Sequence, residues 1–146
     1  MIKLCKDFDN AVYKLVIDRL RETEGEIEVH NSLTLGFLDD SDNKIIGGVI
    51  FSLTGRCCFF TIWADSVMWC SRSNLTNIFE IAFDFGAVAI KCATNFHNFR
   101  VNKLVRGLGF RREGILRFQR PDGSDEIVWS MTKKEMKNQK WWKKEQ

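Results

Sequence analysis

Five cysteines (Cys5, Cys57, Cys58, Cys70 and Cys92) and two histidines, His30 and His97, are the side chains best suited here to nucleophilic attack or metal binding. The cysteines show no Cys-x-x-Cys spacing and the histidines stand apart, so a structural zinc site is not expected. Their odd number argues against a disulfide framework and for buried free thiols. A reactive thiol needs a histidine or a helix start beside it, and only Cys70 has a helix start within reach. That start lies in VMWCSRSN, residues 67–74, where Ser71, Arg72 and Ser73 either cap the helix or offer an anion hydrogen bonds and a positive charge. Near the C-terminus, KKEMKNQKWWKKEQ sets lysines around Trp141 and Trp142. Such a tail can grip nucleic acid, dock on an acidic protein surface or pack against a second subunit of a homo-oligomer. No GxGxxG or P-loop pattern is present; Gly47-Gly48, inside an apolar run, marks a bulge or a close backbone approach.

The elements that must position these groups follow from periodicity. Residues 7–22 read as an amphipathic helix, with Phe8, Val12, Leu15 and Val16 at helical spacing and Asp7 or Asp9 as cap. LTLGFLD (33–39), KIIGGVIFSL (44–53) and CCFFTIWA (57–64) read as strands of an antiparallel meander, separated by DSDN and TGR. LTNIFEIAFDF (75–85) is a helix capped by Ser73 or Asn74, and VAIKCAT (88–94) is a buried strand. Asn98 to Leu108 forms another helix, closed by Gly109 in the left-handed conformation. Beyond it ILRFQR and EIVWSMTK flank the turn Pro-Asp-Gly-Ser. The order predicts a mixed α/β fold, with helices on a largely antiparallel sheet.

Length and composition fit one domain over residues 1–132, followed by a basic tail over 133–146. The tail matters to the charge: residues 131–146 carry six lysines against Glu135 and Glu145, or +4 of the net +3, which leaves the body at −1. No apolar run approaches the roughly 18 residues of a membrane span, and the N-terminus lacks a signal-peptide pattern, so a cytosolic chain is expected. Asn74-Leu75-Thr76 matches a glycosylation acceptor and, without such a signal, reads as chance.

Asn98, Leu108-Gly109-Phe110, Glu113-Gly114, Leu116-Arg117, Gly123 and Asp125 stand in an order that resembles the Gcn5-related N-acetyltransferase family, and most closely its ribosomal-protein N-terminal branch. The motif-level resemblance covers about residues 88–132, and the order of elements extends it to the whole chain. It implies that the sheet splays between the parallel strands at 57–64 and 88–94. Acetyl coenzyme A would lie in that gap, with its pantetheine arm along Ile62, Trp63 and Ala64. Its pyrophosphate would meet the helix start at Ser71, Arg72 and Ser73, and Asn98 would point toward it. The implied activity is acetyl transfer to a primary amine: a protein N-terminus, a lysine or a small molecule. Asp65, where the strand end opens into the cleft, is the implied base, with His97 as the other candidate.

Two departures set this chain apart from the family pattern. Family members usually carry Gln/Arg-x-x-Gly-x-Gly/Ala before the phosphate-binding helix, yet no glycine occurs here between Gly55 and Gly86. Trp69, Cys70 and Ser71 are therefore expected to crowd or reshape that pocket. Many members also use a Tyr on the later helix as the acid; Val105 holds the matching position, and Tyr13 is the sole tyrosine. A shorter likeness, in the Asn-to-Leu-x-x-x-Gly helix ending without a glycine loop, is to small internal virion proteins of T7-like phages. It implies the alternative of a non-catalytic assembly protein with the same fold, located in the virion if the chain is phage-encoded.

Overall fold

A computed structural model describes residues 1–24 and 32–142. His30, Lys143, Lys144 and Glu145 lie outside the described residues. The elements run β1 (Ile2–Lys6), α1 (Ala11–Glu24), β2 (Ser32–Asp39), β3 (Lys44–Thr54), β4 (Cys57–Ala64), a 3-10 turn (Val67–Cys70), α2 (Arg72–Asp84), β5 (Ala89–Asn95), α3 (Phe99–Leu108), β6 (Arg111–Leu116), β7 (Glu126–Thr132) and α4 (Lys133–Lys137). Seven strands form one mixed sheet in the order β1-β2-β3-β4-β5-β7-β6. Every pairing is antiparallel except β4 with β5.

Helices cover both faces. Val12, Val16 and Ile17 of α1 pack on one face with Ile50 of β3. Leu75, Ile78, Phe79, Ala82 and Phe83 of α2, with Val105 of α3, pack on the other against Phe51, Phe60, Ile90, Trp129 and Met131. β3 is covered on both sides, which explains why its middle reads as an unbroken apolar run.

The first helix begins later than its periodicity predicts. Asp9 and Asn10 turn the chain with φ of 56° and 58°. The Asp7 carboxylate then accepts from the Val12 and Tyr13 amides at 2.7 and 3.0 Å. Phe8 therefore lies before the helix and is 75% exposed, not part of its apolar stripe. The cap of α2 is likewise Ser71, not Ser73 or Asn74: its hydroxyl accepts from the Asn74 amide at 3.2 Å. Asn74 is buried within α2, out of reach of any modifying enzyme in the folded chain.

Gly109 closes α3 with φ 104°, as the sequence requires. A β-carbon there would also overlap the Gln139 side chain. Gly109→Ala is expected to cost about 2 kcal/mol, read as a shifted midpoint in urea denaturation.

The segment after β7 is less of a tail than its composition predicts. Thr132 and Glu135 form a reciprocal capping box that starts α4, and Met136 is only 1% exposed. The Trp141 ring lies 4.8 Å from that of Phe79, and its indole N–H donates to the Leu108 carbonyl at 2.7 Å. Trp142 also packs against the core. Through residue 142 the segment is part of the domain, and both tryptophans are half-buried.

The Thr132 amide bonded to Glu135 holds that carboxyl below its ordinary value of 4.5. A depressed carboxyl stabilises the fold above its unfolded value and loses that effect as pH falls through the folded one. Thr132→Ala, which removes the capping hydroxyl but keeps the amide, should cost about 1 kcal/mol, whereas the cost of Glu135→Gln should shrink as pH drops below 4.5 in a denaturation series.

Candidate functional site

The parallel strands β4 and β5 pair only at Cys57↔Ala89, Cys58↔Ile90 and Phe59↔Lys91. Beyond Phe59 each strand follows its other neighbour. β4 stays paired with β3 to its end, where Gly47 faces Ala64 and Gly48 faces Trp63. A β-carbon on Gly47 would collide with the Trp63 carbonyl oxygen, so this glycine permits the close approach. β5 stays paired with β7 as far as Asn95↔Glu126.

A buried polar chain lies beside the divergence. The Trp129 indole N–H donates to Thr94 Oγ1 at 2.9 Å, and the Thr94 hydroxyl donates to Asn102 Oδ1. Asn102 Nδ2 in turn donates to the carbonyls of Asn95 and Phe96 at 3.2 and 3.1 Å. The tip of β5 is thereby tied to α3 and β7. Buried networks of this kind are costly to break, and Asn102→Ala is expected to destabilise the fold by about 2 kcal/mol in denaturant titration.

The gap is thus bordered by Phe60–Ala64 of β4, including the predicted Ile62, Trp63 and Ala64. Ile62 and Ala64 pack toward α2, whereas Trp63 packs toward α1 with the Arg19 guanidinium 5.4 Å from its ring. Asp65 follows directly, exposed, its amide donating to the Ile46 carbonyl at 2.8 Å. Because β4 and β5 are parallel, Asp65 and His97 lie at the same end of the sheet. His97 is exposed, with its amide bonded to Asn95 Oδ1 at 2.9 Å.

The glycine-free segment places its bulkiest residue away from β4. Trp69 turns into the core and stacks on Phe37 of β2, rings parallel within 8° and 5.1 Å apart. Asn74 Nδ2 holds the Trp69 carbonyl at 3.1 Å and the Ile2 carbonyl at 2.9 Å. The Trp69 ring thus packs toward β2, two strands away from β4.

The first rung of α2 runs from the Leu75 amide to the Ser71 carbonyl. The amides of Arg72 and Ser73 precede that rung, and such donors are what a helix start offers an anion. The Arg72 side chain takes another course. Its guanidinium donates to the Trp141 carbonyl at 3.2 Å and the Trp142 carbonyl at 3.3 Å, so its charge is engaged by the C-terminal segment. Asn98 caps α3, its Oδ1 accepting from the Val101 amide at 3.3 Å, so that oxygen serves the helix.

Burial works against reactivity at four of the thiols. Burial pushes Cys70 and Cys92 up to about 12 and Cys58 to about 11, and it raises Cys5 as well. Cys70 is therefore no activated nucleophile despite its place before α2. Among the described residues no cluster of His, Cys, Asp and Glu could hold a metal ion.

Glu126 is a carboxylate that sequence reading missed. It pairs across from Asn95 at the open end of β5, and burial raises it above 4.5, against the opposing pull of Arg120 at 3.2 Å. Its environment depends on strand pairing, so no local signal in the sequence marks it.

A sheet opened between parallel strands, with a helix start beside it, defines the class: this is the fold of the Gcn5-related N-acetyltransferases. The chain superposes on a spermidine N-acetyltransferase from Vibrio cholerae with a TM-score of 0.75 at 14% identity, covering 94% of this chain and 96% of that one. For the ribosomal-protein-S18-alanine N-acetyltransferase from Escherichia coli the TM-score is 0.68 at 13% identity, over 90% and 94% of the two chains. For the ribosomal-protein-S5-alanine acetyltransferase from Vibrio fischeri it is 0.67 at 16%, over 97% and 94%. At such identities the likeness establishes the fold. No protein-family model and no curated protein matches the sequence. Among the described residues no helix is long and apolar enough to cross a membrane.

Proposed function

We propose that the chain transfers an acetyl group from acetyl coenzyme A to a primary amine. The observation that carries this reading is the divergence of β4 and β5 after three paired residues, which leaves the Phe60–Ala64 edge without a partner strand on that side. An extended amide-bearing chain, such as pantetheine, can bond to a strand edge of this kind. The amides of Arg72 and Ser73 suit its pyrophosphate, and they do so through backbone where the usual glycines are missing.

The chemistry asked of the protein is modest. The acceptor amine must be neutral to attack the thioester carbonyl, so a group at the open end must take its proton. Asp65, exposed directly after β4, takes that role, by a direct bond or through one water. A strand amide of β4 stabilises the charge developing on the carbonyl oxygen. No tyrosine stands on α3 to protonate the departing thiolate, so that proton comes from solvent. Acetyl coenzyme A is thus a co-substrate, and the amine, whether a protein N-terminus, a lysine or a small molecule, enters from the Asp65 side.

Calorimetric titration tests the proposal. Binding of acetyl coenzyme A at micromolar concentrations is the expected result. No heat and no thermal shift at millimolar concentrations would overturn it and leave the fold as a non-catalytic scaffold, such as a virion assembly protein. In the same assay Arg72→Ala should change affinity less than two-fold, because its guanidinium is held by the C-terminal segment.

A further inference from the structure

At the open end of β5, the loop after β5 and the β6–β7 turn converge on Asp125. Its carbonyl accepts from the Phe96 amide at 3.0 Å, and its carboxylate accepts from the Phe118 amide at 3.0 Å. Phe118 is held at φ 58°, a left-handed conformation that bulky side chains rarely adopt, with its ring 74% exposed. The core gains nothing from that ring, so the strain serves no packing purpose. Phe99 is 70% exposed, and the His97 ring stands edge-on to both Phe96 and Phe99, at 5.4 and 6.4 Å.

Arginines accompany the rings. Arg112 lies 5.8 Å from the Phe96 ring centroid and Arg117 5.9 Å from that of Phe118. Arg106, two turns along α3 from Phe99, lies 5.9 Å from Trp129, the residue that faces Arg112 across β7 and β6. Two neighbouring carboxylates are paired with cations, Glu113 with Lys91 at 2.9 Å and Glu126 with Arg120 at 3.2 Å, while Asp125 and Asp122 are held by the Phe118 and Ser124 amides in the turn. Arg106, Arg112 and Arg117 thus accompany the exposed rings of Phe99 and Phe118 on one surface.

We propose that this surface binds single-stranded nucleic acid. Guanidinium groups meet phosphates, while the exposed rings accept bases, which stack whatever their identity. An acidic polypeptide would satisfy the arginines but leave the rings of Phe99 and Phe118 in water. This proposal does not rest on acetyl transfer: the roles proposed for Asp65, the Phe60–Ala64 edge and the Arg72 and Ser73 amides use none of these rings or arginines, although the surface lies at the same end of the sheet.

The test is fluorescence anisotropy of a fluorescein-labelled uridine oligomer of about 12 nucleotides with the full chain, over a salt series. Three phosphate contacts predict a slope of log affinity against log salt of about −2, flattened by about 0.7 in Arg112→Gln. Phe99→Ala and Phe118→Gly should each weaken binding about ten-fold. Phe118→Gly should do so while its melting temperature holds or rises, because glycine accepts the positive φ. Three results would overturn the proposal: no binding at low salt, binding indifferent to both phenylalanine changes, or equal displacement by poly-glutamate, which would assign the surface to an acidic polypeptide.

Discussion

Trp141→Ala is expected to destabilise the folded chain by about 3 kcal/mol and to lower its melting temperature by about 10 °C. The ring sits 4.8 Å from Phe79, its N–H bonds the Leu108 carbonyl at 2.7 Å, and its own carbonyl receives Arg72. Truncation removes the ring contact and strips a half-buried carbonyl of its donor, two costs that add at one site. Urea denaturation of the full chain measures the effect. A loss below about 1 kcal/mol would mean that residues 138–142 lie on the domain without supporting it. The same packing predicts that removing residues 138–146 weakens the fold itself, so a changed oligomer mass after such a deletion would not by itself reveal a partner.

Asp65→Asn is expected to reduce the rate of acetyl transfer at least about 100-fold, with acetyl coenzyme A affinity altered less than two-fold. The carboxamide fills the same volume and keeps the backbone bond to Ile46, but it cannot accept the amine's proton. Steady-state kinetics give the decisive readout: kcat should fall while KM for acetyl coenzyme A holds. An unchanged rate in Asp65→Asn together with a collapse in Glu126→Gln would move the base to the second carboxylate at this end of the sheet. Glu126 also carries the opposite pH sign to Glu135. Because burial raises its folded value, the stability it contributes is full below 4.5 and is lost as pH climbs through the raised value.

Much of this architecture was legible where a residue type leaves only one backbone solution. Gly109 had to end α3 because the chain takes φ 104° there, whereas the capping role of Asn98 emerged only from its bond to the Val101 amide. The meander over β2, β3 and β4 followed from turn chemistry at its two corners. Other features depended on contacts that local sequence does not encode. β1 is a five-residue edge strand whose pairing with β2 gives it its shape, and it passes unread beside the stronger helical signal that follows. Phe8 carried helical spacing, yet positive φ at Asp9 and Asn10 moved the helix start beyond it.

The candidate site was less legible than the fold. Its gap came from resemblance alone, since periodicity cannot tell two parallel strands that separate from two that remain paired. The network that ties β5 to α3 and β7 beside the gap joins Thr94, Asn102 and Trp129, none of which stands out by type or spacing. Trp69 was expected to crowd the phosphate end because it replaces small residues, but an aromatic partner on β2, Phe37, draws it inward. Arg72 looked like a phosphate ligand until the C-terminal segment, 69 and 70 residues away in sequence, supplied carbonyls for its guanidinium.

Amide hydrogen exchange with and without acetyl coenzyme A would reach the heart of this account. Slowed exchange confined to the Phe60–Ala64 edge and to the Arg72 and Ser73 amides is the predicted result. Unchanged exchange at both places under saturating ligand, or protection that appears only elsewhere, would contradict the claim that the opening between β4 and β5 receives the acetyl donor.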